Sequence, residues 1–359
     1  MKKVKRRSLL QLGALSGVTT GLTMSTTGLS MTPDPVHGAI DGGVKEYVRL
    51  GRTGFQVSDV SFGSFPLQHG DERVVLHAMD RGINYFDTAE SYGEGVSEEV
   101  MGKALKGGRR KSVKLATKIF AGGSTSASSM MARLDACLKR LQTDYIDVFF
   151  NHAVNDIRRL QNPEWLEFTD KARSLGKVRY FGMSGHAGRL TDCIEYALDK
   201  DMFDVMLLAM NFGDDPAFYE RFTRSTDLVA NQQGLPKLLA KAKQQDVGIV
   251  AMKVLRGARL NDMRPYEREG STYAQAACRW ILNNPDVDNL IITMRNRDEV
   301  DEYLGASGSS AVSRVDMELL QQYARQTEAS YCRNVCNDCE GSCPYDVPIP
   351  DILRMHMYA

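Results

Sequence analysis

Short apolar runs alternate with amphipathic segments along most of the chain. The runs are VSDVSFGS, NYFDTAE, VKLATKIF, IDVFFNHA, VRYFGMS, FDVMLLAMNF, VGIVAMKVL and NLIITM. Strands buried on both faces of a parallel sheet have this continuous apolar character. The intervening segments, such as SSMMARLDACLKRLQ, carry apolar residues three and four positions apart, as helices do. The pattern predicts an α/β protein in which strands and helices alternate.

Eight such alternations favour a closed (β/α)8 TIM barrel, which we expect over residues 46–308. A hairpin is expected just inside its start, at VRLGRTGFQVS, with its turn at residues 52–54. An open doubly wound sheet is the second possibility, but no glycine-rich dinucleotide loop follows the first strand. A barrel would place its chemistry at the carboxyl ends of the strands.

The charge balance narrows the class of partner. Lys and Arg together number 45, and so do Asp and Glu, so no basic excess indicates nucleic acid. The body of the chain has no apolar stretch long enough to span a membrane, so we expect no stable span in the mature protein. A small molecule is the expected partner.

Residues 1–39 are typical of a targeting segment. The chain begins MKKVKRRSLLQLGALSGVTTG, in which basic residues precede a mildly apolar stretch diluted by Gly, Ser and Thr. Arg6 and Arg7 resemble the twin-arginine signal, which predicts export to the periplasm, or elsewhere outside the cytoplasm, by the twin-arginine machinery. An ordinary secretory signal and a disordered basic tail are the alternatives, and Ala39 is a candidate cleavage site.

Four polar side chains lie at or just after the ends of apolar runs, at the predicted mouth of the barrel: Asp87, Tyr92, Lys118 and His152. Tyrosine loses its proton near pH ~10, too high for efficient proton exchange at neutral pH. We expect the Lys118 ammonium to lower the pKa of Tyr92, and Asp87 to keep that lysine charged. His152 is expected to hydrogen-bond the substrate oxygen.

These residues resemble the catalytic tetrad of the aldo-keto reductase family. The resemblance rests on NYFDTAESYGEGVSEEVMGKAL, LATKIF and DVFFNHA, and extends from about Val48 through the eighth strand. It implies that a tyrosine, here Tyr92, exchanges a proton while a nicotinamide cofactor, NADP or NAD, exchanges hydride with an aldehyde, ketone or alcohol.

The resemblance also implies a nicotinamide site, from which this sequence departs. Ser184 matches a serine of the family, but Gly185 stands in place of the usual Asn and Leu207 in place of a Gln. Met210 stands where an aromatic residue usually stacks on the nicotinamide.

After the eighth predicted strand, the sequence TMRNRDEVDEYL resembles the segment that binds the adenosine phosphate in this family. Glu302 matches the family's acidic residue, whereas Glu299 stands where its phosphate-binding arginine would align. Arg295 and Arg297 are candidates for a 2′-phosphate, which favours NADP over NAD; a solvated helix start is the alternative. Further cofactor-binding candidates are Lys253, Leu255 and Thr293.

The C-terminal region, residues 309–359, is expected to hold a helix and a cysteine-rich segment. Its thiols follow the spacing C-x3-C-x2-C-x3-C-P and are Cys332, Cys336, Cys339 and Cys343. The last three match a ferredoxin-type run, and a branch of the aldo-keto reductases carries a similar [4Fe-4S] segment. Structural zinc and two disulfides are the alternatives. We expect the other cysteines to be buried small side chains and not ligands: Cys137, Cys193 and Cys278.

Two functions are compatible with these features. The first is a nicotinamide-dependent oxidoreductase with an accessory iron-sulfur cluster and a small carbonyl substrate. The second is a non-catalytic, cluster-bearing barrel that serves as an electron-transfer or interaction module. The intact tetrad favours the first function, and the departures at Gly185, Leu207 and Met210 favour the second.

Overall fold

The computed structural model describes residues 42–65, 67–186, 188–214, 234–256, 261–268, 270–309, 311–327, 332, 339–345, 347–350 and 352–353. The expected signal segment, residues 1–39, and Cys336 lie outside the described residues.

Eight parallel strands close into a barrel, as predicted. They are β3 (Val60–Gly63), β4 (Tyr85–Asp87), β5 (Lys114–Ile119), β6 (Ile146–Asn151), β7 (Val178–Gly185), β8 (Val205–Ala209), β9 (Gly248–Met252) and β10 (Asn289–Thr293). Each strand pairs with its neighbour along the chain, and β10 pairs with β3 to close the ring. Seven of the barrel strands lie within their apolar runs, and β7 extends one residue past its run, to Gly185. The continuous apolar character of the runs therefore reflects burial on both faces.

The helices that connect the strands and those that follow the last strand pack around the barrel. They are α1 (Glu72–Asp80), α2 (Val96–Ala104), α3 (Ala127–Leu141), α4 (Ile157–Leu160), α5 (Pro163–Ser174), α6 (Leu190–Asp199), α7 (Leu235–Gln244), α8 (Tyr273–Leu282), α9 (Arg297–Leu304) and α10 (Arg314–Thr327). No helix in the described part of the chain is long and apolar enough to cross a membrane.

Polar side chains fix where several helices begin. Asn162 accepts a hydrogen bond from the Glu164 amide, and Pro163 occupies the first helical position of α5. At the start of α8, Thr272 and Gln275 form a reciprocal capping box. These local signals set the helix boundaries because they satisfy amide groups that have no partner within the helix.

A hairpin closes the amino-terminal end of the barrel. Strands β1 (Tyr47–Leu50) and β2 (Phe55–Ser58) pair antiparallel and place Leu50, Phe55 and Val57 in one apolar cluster with the barrel interior. The Tyr180 hydroxyl, on β7, donates to the Thr53 carbonyl at 3.0 Å. We call this closed end the floor and the opposite end, where the strands terminate, the mouth.

Alternating residues of the strands build two apolar layers. The inner cluster includes Tyr85, Val148 and Leu207, and the outer cluster joins the strands to the helices. Outside the ring, α10 packs on α8, where the Tyr273 and Tyr323 rings stack with centroids 4.1 Å apart. The packed interior therefore leaves the mouth as the place for a polar site.

Candidate active site

The four predicted tetrad residues meet at the mouth. Lys118 Nζ lies 2.6 Å from Asp87 Oδ2, 2.6 Å from the Thr88 carbonyl oxygen and 3.4 Å from Tyr92 Oη. Asp87 and Lys118 are both 1% exposed. The three N–H donors of the ammonium group therefore have three acceptors, one of which is the tyrosine oxygen.

Strand register explains this arrangement. Asp87 pairs with Ala116 on β5, so Lys118 lies two residues nearer the mouth and points to the same side of the strand as Ala116. Tyr92 begins a 3₁₀ turn over Tyr92–Gly95, in which Gly93 and Glu94 have φ of 57° and 55°. This tight turn after β4 brings the phenol back over the lysine.

His152 follows β6 and faces the tyrosine. The two rings meet edge to face, with centroids 6.0 Å apart. Burial lowers the pKa of His152 well below its ordinary value, and the positive charge of Lys118 lowers it further. The imidazole is therefore neutral at pH 7, with one ring N–H available as a donor.

The expected lowering of the Tyr92 pKa is wrong in its net direction. Burial raises the pKa of Tyr92, and the nearby Lys118 charge lowers it without outweighing burial. The negative charge of Asp87 also raises it. Tyr92 is therefore a neutral phenol at pH 7. The charge of Lys118 keeps the pKa of Tyr92 lower than burial alone would make it.

The Asp87 and Lys118 side chains shift each other's pKa. Burial raises the pKa of Asp87, and Lys118 opposes this shift. Burial disfavours the lysine charge, but Asp87 and Tyr92 together raise the pKa of Lys118 above its ordinary value. We conclude that Lys118 is an ammonium group held by a carboxylate.

A buried arginine that the sequence analysis did not identify holds the His152 segment. The Arg159 guanidinium donates to the His152 carbonyl at 2.7 Å, to the Ala153 carbonyl at 2.6 Å and to Asn151 Oδ1 at 2.7 Å. Arg159 lies in the four-residue helix α4 beside the exposed Arg158, so no sequence signal distinguishes the two arginines.

Two exposed aromatic side chains at the mouth were not among the predicted site residues. The Phe65 ring lies edge-on to Tyr92, with centroids 5.2 Å apart, and the Phe120 ring lies under the Arg159 guanidinium at 3.9 Å. They are 48% and 54% exposed, unusually high for phenylalanine. Phe65 directly follows the run of β3 and Phe120 ends the run of β5. These positions are the signal that could have identified them.

The predicted nicotinamide residues lie at the ends of β7 and β8. Ser184 is buried, and its hydroxyl oxygen accepts from the Ala153 amide at 3.0 Å, so its own proton remains available for donation. Met210 is buried just after β8. A Cβ atom on Gly185 would lie 2.3 Å from a Leu190 methyl carbon and 3.0 Å from the Val154 carbonyl oxygen. An asparagine at position 185 would therefore have to displace the Leu190 side chain.

The predicted phosphate segment follows β10 and begins α9. Thr293 ends β10 and is half-buried, and Arg297 is exposed at the first residue of the helix. The Arg295 guanidinium donates to Glu299 Oε1 at 2.7 and 3.0 Å. Glu299 thus pairs with the arginine that the sequence analysis assigned to a phosphate. The half-buried Glu302 accepts at its carbonyl from Gln275, at 2.8 Å.

The loop after β9 contacts the outer helices. Lys253 is half-buried and has φ of 61°. The Leu255 carbonyl accepts from the Tyr273 hydroxyl on α8, and the Arg256 carbonyl accepts from Tyr323 on α10 at 3.1 Å. The C-terminal helix therefore holds the loop that carries two of the predicted cofactor residues.

The cysteines divide into two groups, as the sequence predicted. Cys137, Cys193 and Cys278 are fully buried, and burial raises the pKa of Cys193 to about 12. The described tail thiols, Cys332, Cys339 and Cys343, are half-exposed and unbridged, and within the described ranges no group of three or more metal-binding side chains is present.

Comparisons with known proteins identify the family. A sequence profile described as "Aldo/keto reductase family" matches residues 68–269, more than half of the chain. The chain belongs to the aldo/keto reductase family. It is 30% identical over 254 residues to "Uncharacterized oxidoreductase YrpG" of Bacillus subtilis, and the aligned region covers 65% of this chain and 73% of that relative. It is 26% identical to "L-galactose dehydrogenase" of Arabidopsis thaliana over 76% of the chain and 91% of that protein.

Solved structures show the same fold. The aldo-keto reductase AKR11C1 from Bacillus halodurans, in its holo form, has a TM-score of 0.60 at 20% identity and matches 77% of this chain and 96% of its own. A putative aldo-keto reductase from Pseudomonas aeruginosa has a TM-score of 0.56 at 22% identity, covering 76% and 95%. At these identities the likeness supports the barrel fold, while family membership rests on the sequence match.

Proposed function

We propose that this aldo/keto reductase interconverts a small carbonyl compound and its alcohol with a nicotinamide cofactor, and that Tyr92 transfers the proton. The observation that carries the proposal is the hydrogen-bond geometry at Lys118. Because its ammonium group donates toward Tyr92 Oη at 3.4 Å, that oxygen acts as an acceptor and its own proton can point away from the lysine, toward the mouth.

The proposed roles follow from these contacts. A bound nicotinamide would deliver hydride to the carbonyl carbon. Tyr92 would give its proton to the carbonyl oxygen, and Lys118 would stabilise the phenolate that remains. Neutral His152 would donate a hydrogen bond to the same oxygen and orient it. In alcohol oxidation the Tyr92 phenolate would take the proton back.

We propose NADP(H) as the cofactor, with NAD(H) as the alternative. The Ser184 hydroxyl fits a donor to the nicotinamide carboxamide, and the exposed Arg297 fits a phosphate partner. The pairing of Arg295 with Glu299 weakens the argument for NADP(H), since the carboxylate competes for the guanidinium.

Tyr92→Phe tests the catalytic proposal. We expect loss of carbonyl reduction by about 100-fold or more, since a general acid contributes on the order of 10²–10⁴-fold. Tyr47→Phe is the matched control, because Tyr47 lies in the hairpin that closes the floor and its hydroxyl donates to the Gly82 carbonyl. Turnover of this variant should stay near that of the unaltered protein. Full turnover in Tyr92→Phe would remove Tyr92 from the mechanism.

A specific observation supports a non-catalytic barrel as the second candidate function. The family's asparagine at position 185 would have to displace the Leu190 side chain, and Leu207 is fully buried in the interior. Titration with NADPH and NADH, followed by nucleotide fluorescence, separates the two functions. If neither NADPH nor NADH binds, the interaction or electron-transfer module would be favoured.

We also propose that the tail cysteines hold a [4Fe-4S] cluster, which would connect the protein to an electron-transfer partner. The support is the donor chemistry and spacing of the four thiols, which soft metal centres accept. A broad absorbance near ~400 nm that bleaches with dithionite is expected. A colourless protein with one zinc per chain, or with two disulfides, would contradict the proposal.

Export through the twin-arginine machinery is proposed from the sequence of residues 1–39. Replacement of Arg6 and Arg7 by lysine should retain the full-length chain in the cytoplasm, as judged by cell fractionation. Unchanged fractionation would contradict the proposal.

A further inference from the structure

Asp87 presents an oxygen that the tetrad does not use. Its Oδ2 atom accepts from Lys118, but Oδ1 has no hydrogen-bond partner among the described residues. The side chain is 1% exposed, so bulk water cannot solvate that oxygen. A buried polar atom without a partner is costly, and more so when it carries charge.

A second polar atom without a partner lies on the same strand. Tyr85 is two residues before Asp87 on β4, so both side chains point to the same side, into the barrel. Tyr85 is fully buried among apolar neighbours that include Val148 and Leu207, and its hydroxyl has no hydrogen-bond partner in the described part of the chain.

The two atoms are chemically complementary. Burial, followed by the negative charge of Asp87, raises the pKa of Tyr85 well above its ordinary value, so the hydroxyl keeps its proton. A protonated hydroxyl donates, and a carboxylate oxygen accepts. Such groups in protein interiors are commonly satisfied by an ordered water that bridges them.

We propose that an internal water joins the Tyr85 hydroxyl to Asp87 Oδ1, which makes Tyr85 a positioning residue for the Asp87–Lys118 pair. The inference rests on the proposed function, because it acts on the group that tunes Tyr92. The hydrogen bond favours the ionised form of Asp87, and that form keeps Lys118 charged beneath the phenol.

The charged and titratable groups around this site come from neighbouring strands. Lys118 and Tyr92 face Asp87 at the mouth, and Lys114, across from Tyr85 on β5, lies 4.8 Å above the Phe55 ring on the floor side. Asp147 on β6 also raises the pKa of Tyr85. A test must therefore measure the titration of Asp87 itself as well as the enzymatic activity.

Tyr85→Phe removes the hydroxyl and keeps the ring. We expect the pKa of Asp87 to rise by about one unit, equivalent to about 1.4 kcal/mol, in NMR titration of the protein labelled with ¹³C-aspartate. The acidic limb of the pH profile for carbonyl reduction should move upward by the same amount. Tyr180→Phe is the matched control, since it removes a hydroxyl bonded to Thr53 at the floor, and it should leave both titrations unchanged.

The outcomes separate this inference from the proposed function. An unaltered protein without carbonyl reductase activity would contradict the proposed function, while the NMR titration would still decide the role of Tyr85. An unchanged Asp87 titration in Tyr85→Phe would overturn the inference. If that variant does not fold, a high-resolution crystal structure of the unaltered protein decides: one ordered water within hydrogen-bond reach of both atoms supports the inference, and its absence overturns it.

Discussion

Lys118→Met would isolate the contribution of the buried ion pair. The methionine keeps the length of the side chain but removes the charge that Asp87 Oδ2 and the Thr88 carbonyl contact at 2.6 Å. Removing one partner of a buried pair costs about 3–5 kcal/mol, because it leaves the other charge without compensation.

Protonation of Asp87 sets an upper limit on that cost. A carboxyl group with an ordinary pKa of ~3.9 can be protonated at pH 7 for about 4 kcal/mol, since each unit corresponds to about 1.4 kcal/mol. In the variant, the folded-state pKa of Asp87 would lie far above its unfolded value. Such a group destabilises the fold progressively as pH rises above the unfolded pKa, so the penalty should be small near pH 4 and largest near pH 7.

Urea unfolding at several pH values would measure this dependence. The double variant Asp87→Asn/Lys118→Met leaves no buried charge and should recover most of the lost stability at pH 7, while carbonyl reduction stays low in both variants. A penalty that is absent, or equal at pH 4.5 and pH 7, would refute the argument that a buried carboxylate is left without its cation.

Three further predictions concern packing, thiols and the nucleotide. Gly182→Ala should lower the free energy of unfolding, measured by urea titration, by about 1–3 kcal/mol or more, because the added Cβ would lie 2.3 Å from the Val205 carbonyl oxygen. The control Gly122→Ala makes only an ordinary contact and should be as stable as the unaltered protein. Equal stability of the two variants would contradict this prediction. Ellman's reagent at pH 8 should leave three thiols of the reduced, metal-free native protein unreactive, because they are fully buried: Cys137, Cys193 and Cys278; rapid labelling of any of them would contradict that burial. Glu299→Gln should raise the ratio of kcat/KM with NADPH to kcat/KM with NADH by about 10-fold, equivalent to about 1.4 kcal/mol, because it removes the carboxylate that pairs with Arg295. An unchanged ratio would exclude Arg295 from phosphate binding.

The fold could be predicted because its determinants are local and periodic. The eight runs and the hairpin at residues 47–58 follow from apolar patterning and turn residues. The convergence of Asp87 and Lys118 followed from barrel geometry alone, since neighbouring parallel strands end at the same mouth.

The net shift of the Tyr92 pKa could not be predicted in the same way. The sequence identifies the charged neighbours, but the balance depends on how much solvent the fold removes, and here burial outweighs the lysine. The role of Arg159 was hidden for a related reason. Its hydrogen bonds to His152 and Ala153 go to backbone carbonyls, which carry no residue-specific signal.

The closed floor has a practical consequence for anyone who handles this protein as a reagent. The exposed pair of Arg49 and Asp246 joins the hairpin to the turn before β9, on the side opposite the tetrad. A linker coupled through that side would leave the mouth of the barrel facing the solution, whether the protein is attached to a bead or to an electrode. Coupling through the loops after the strands would obstruct the mouth.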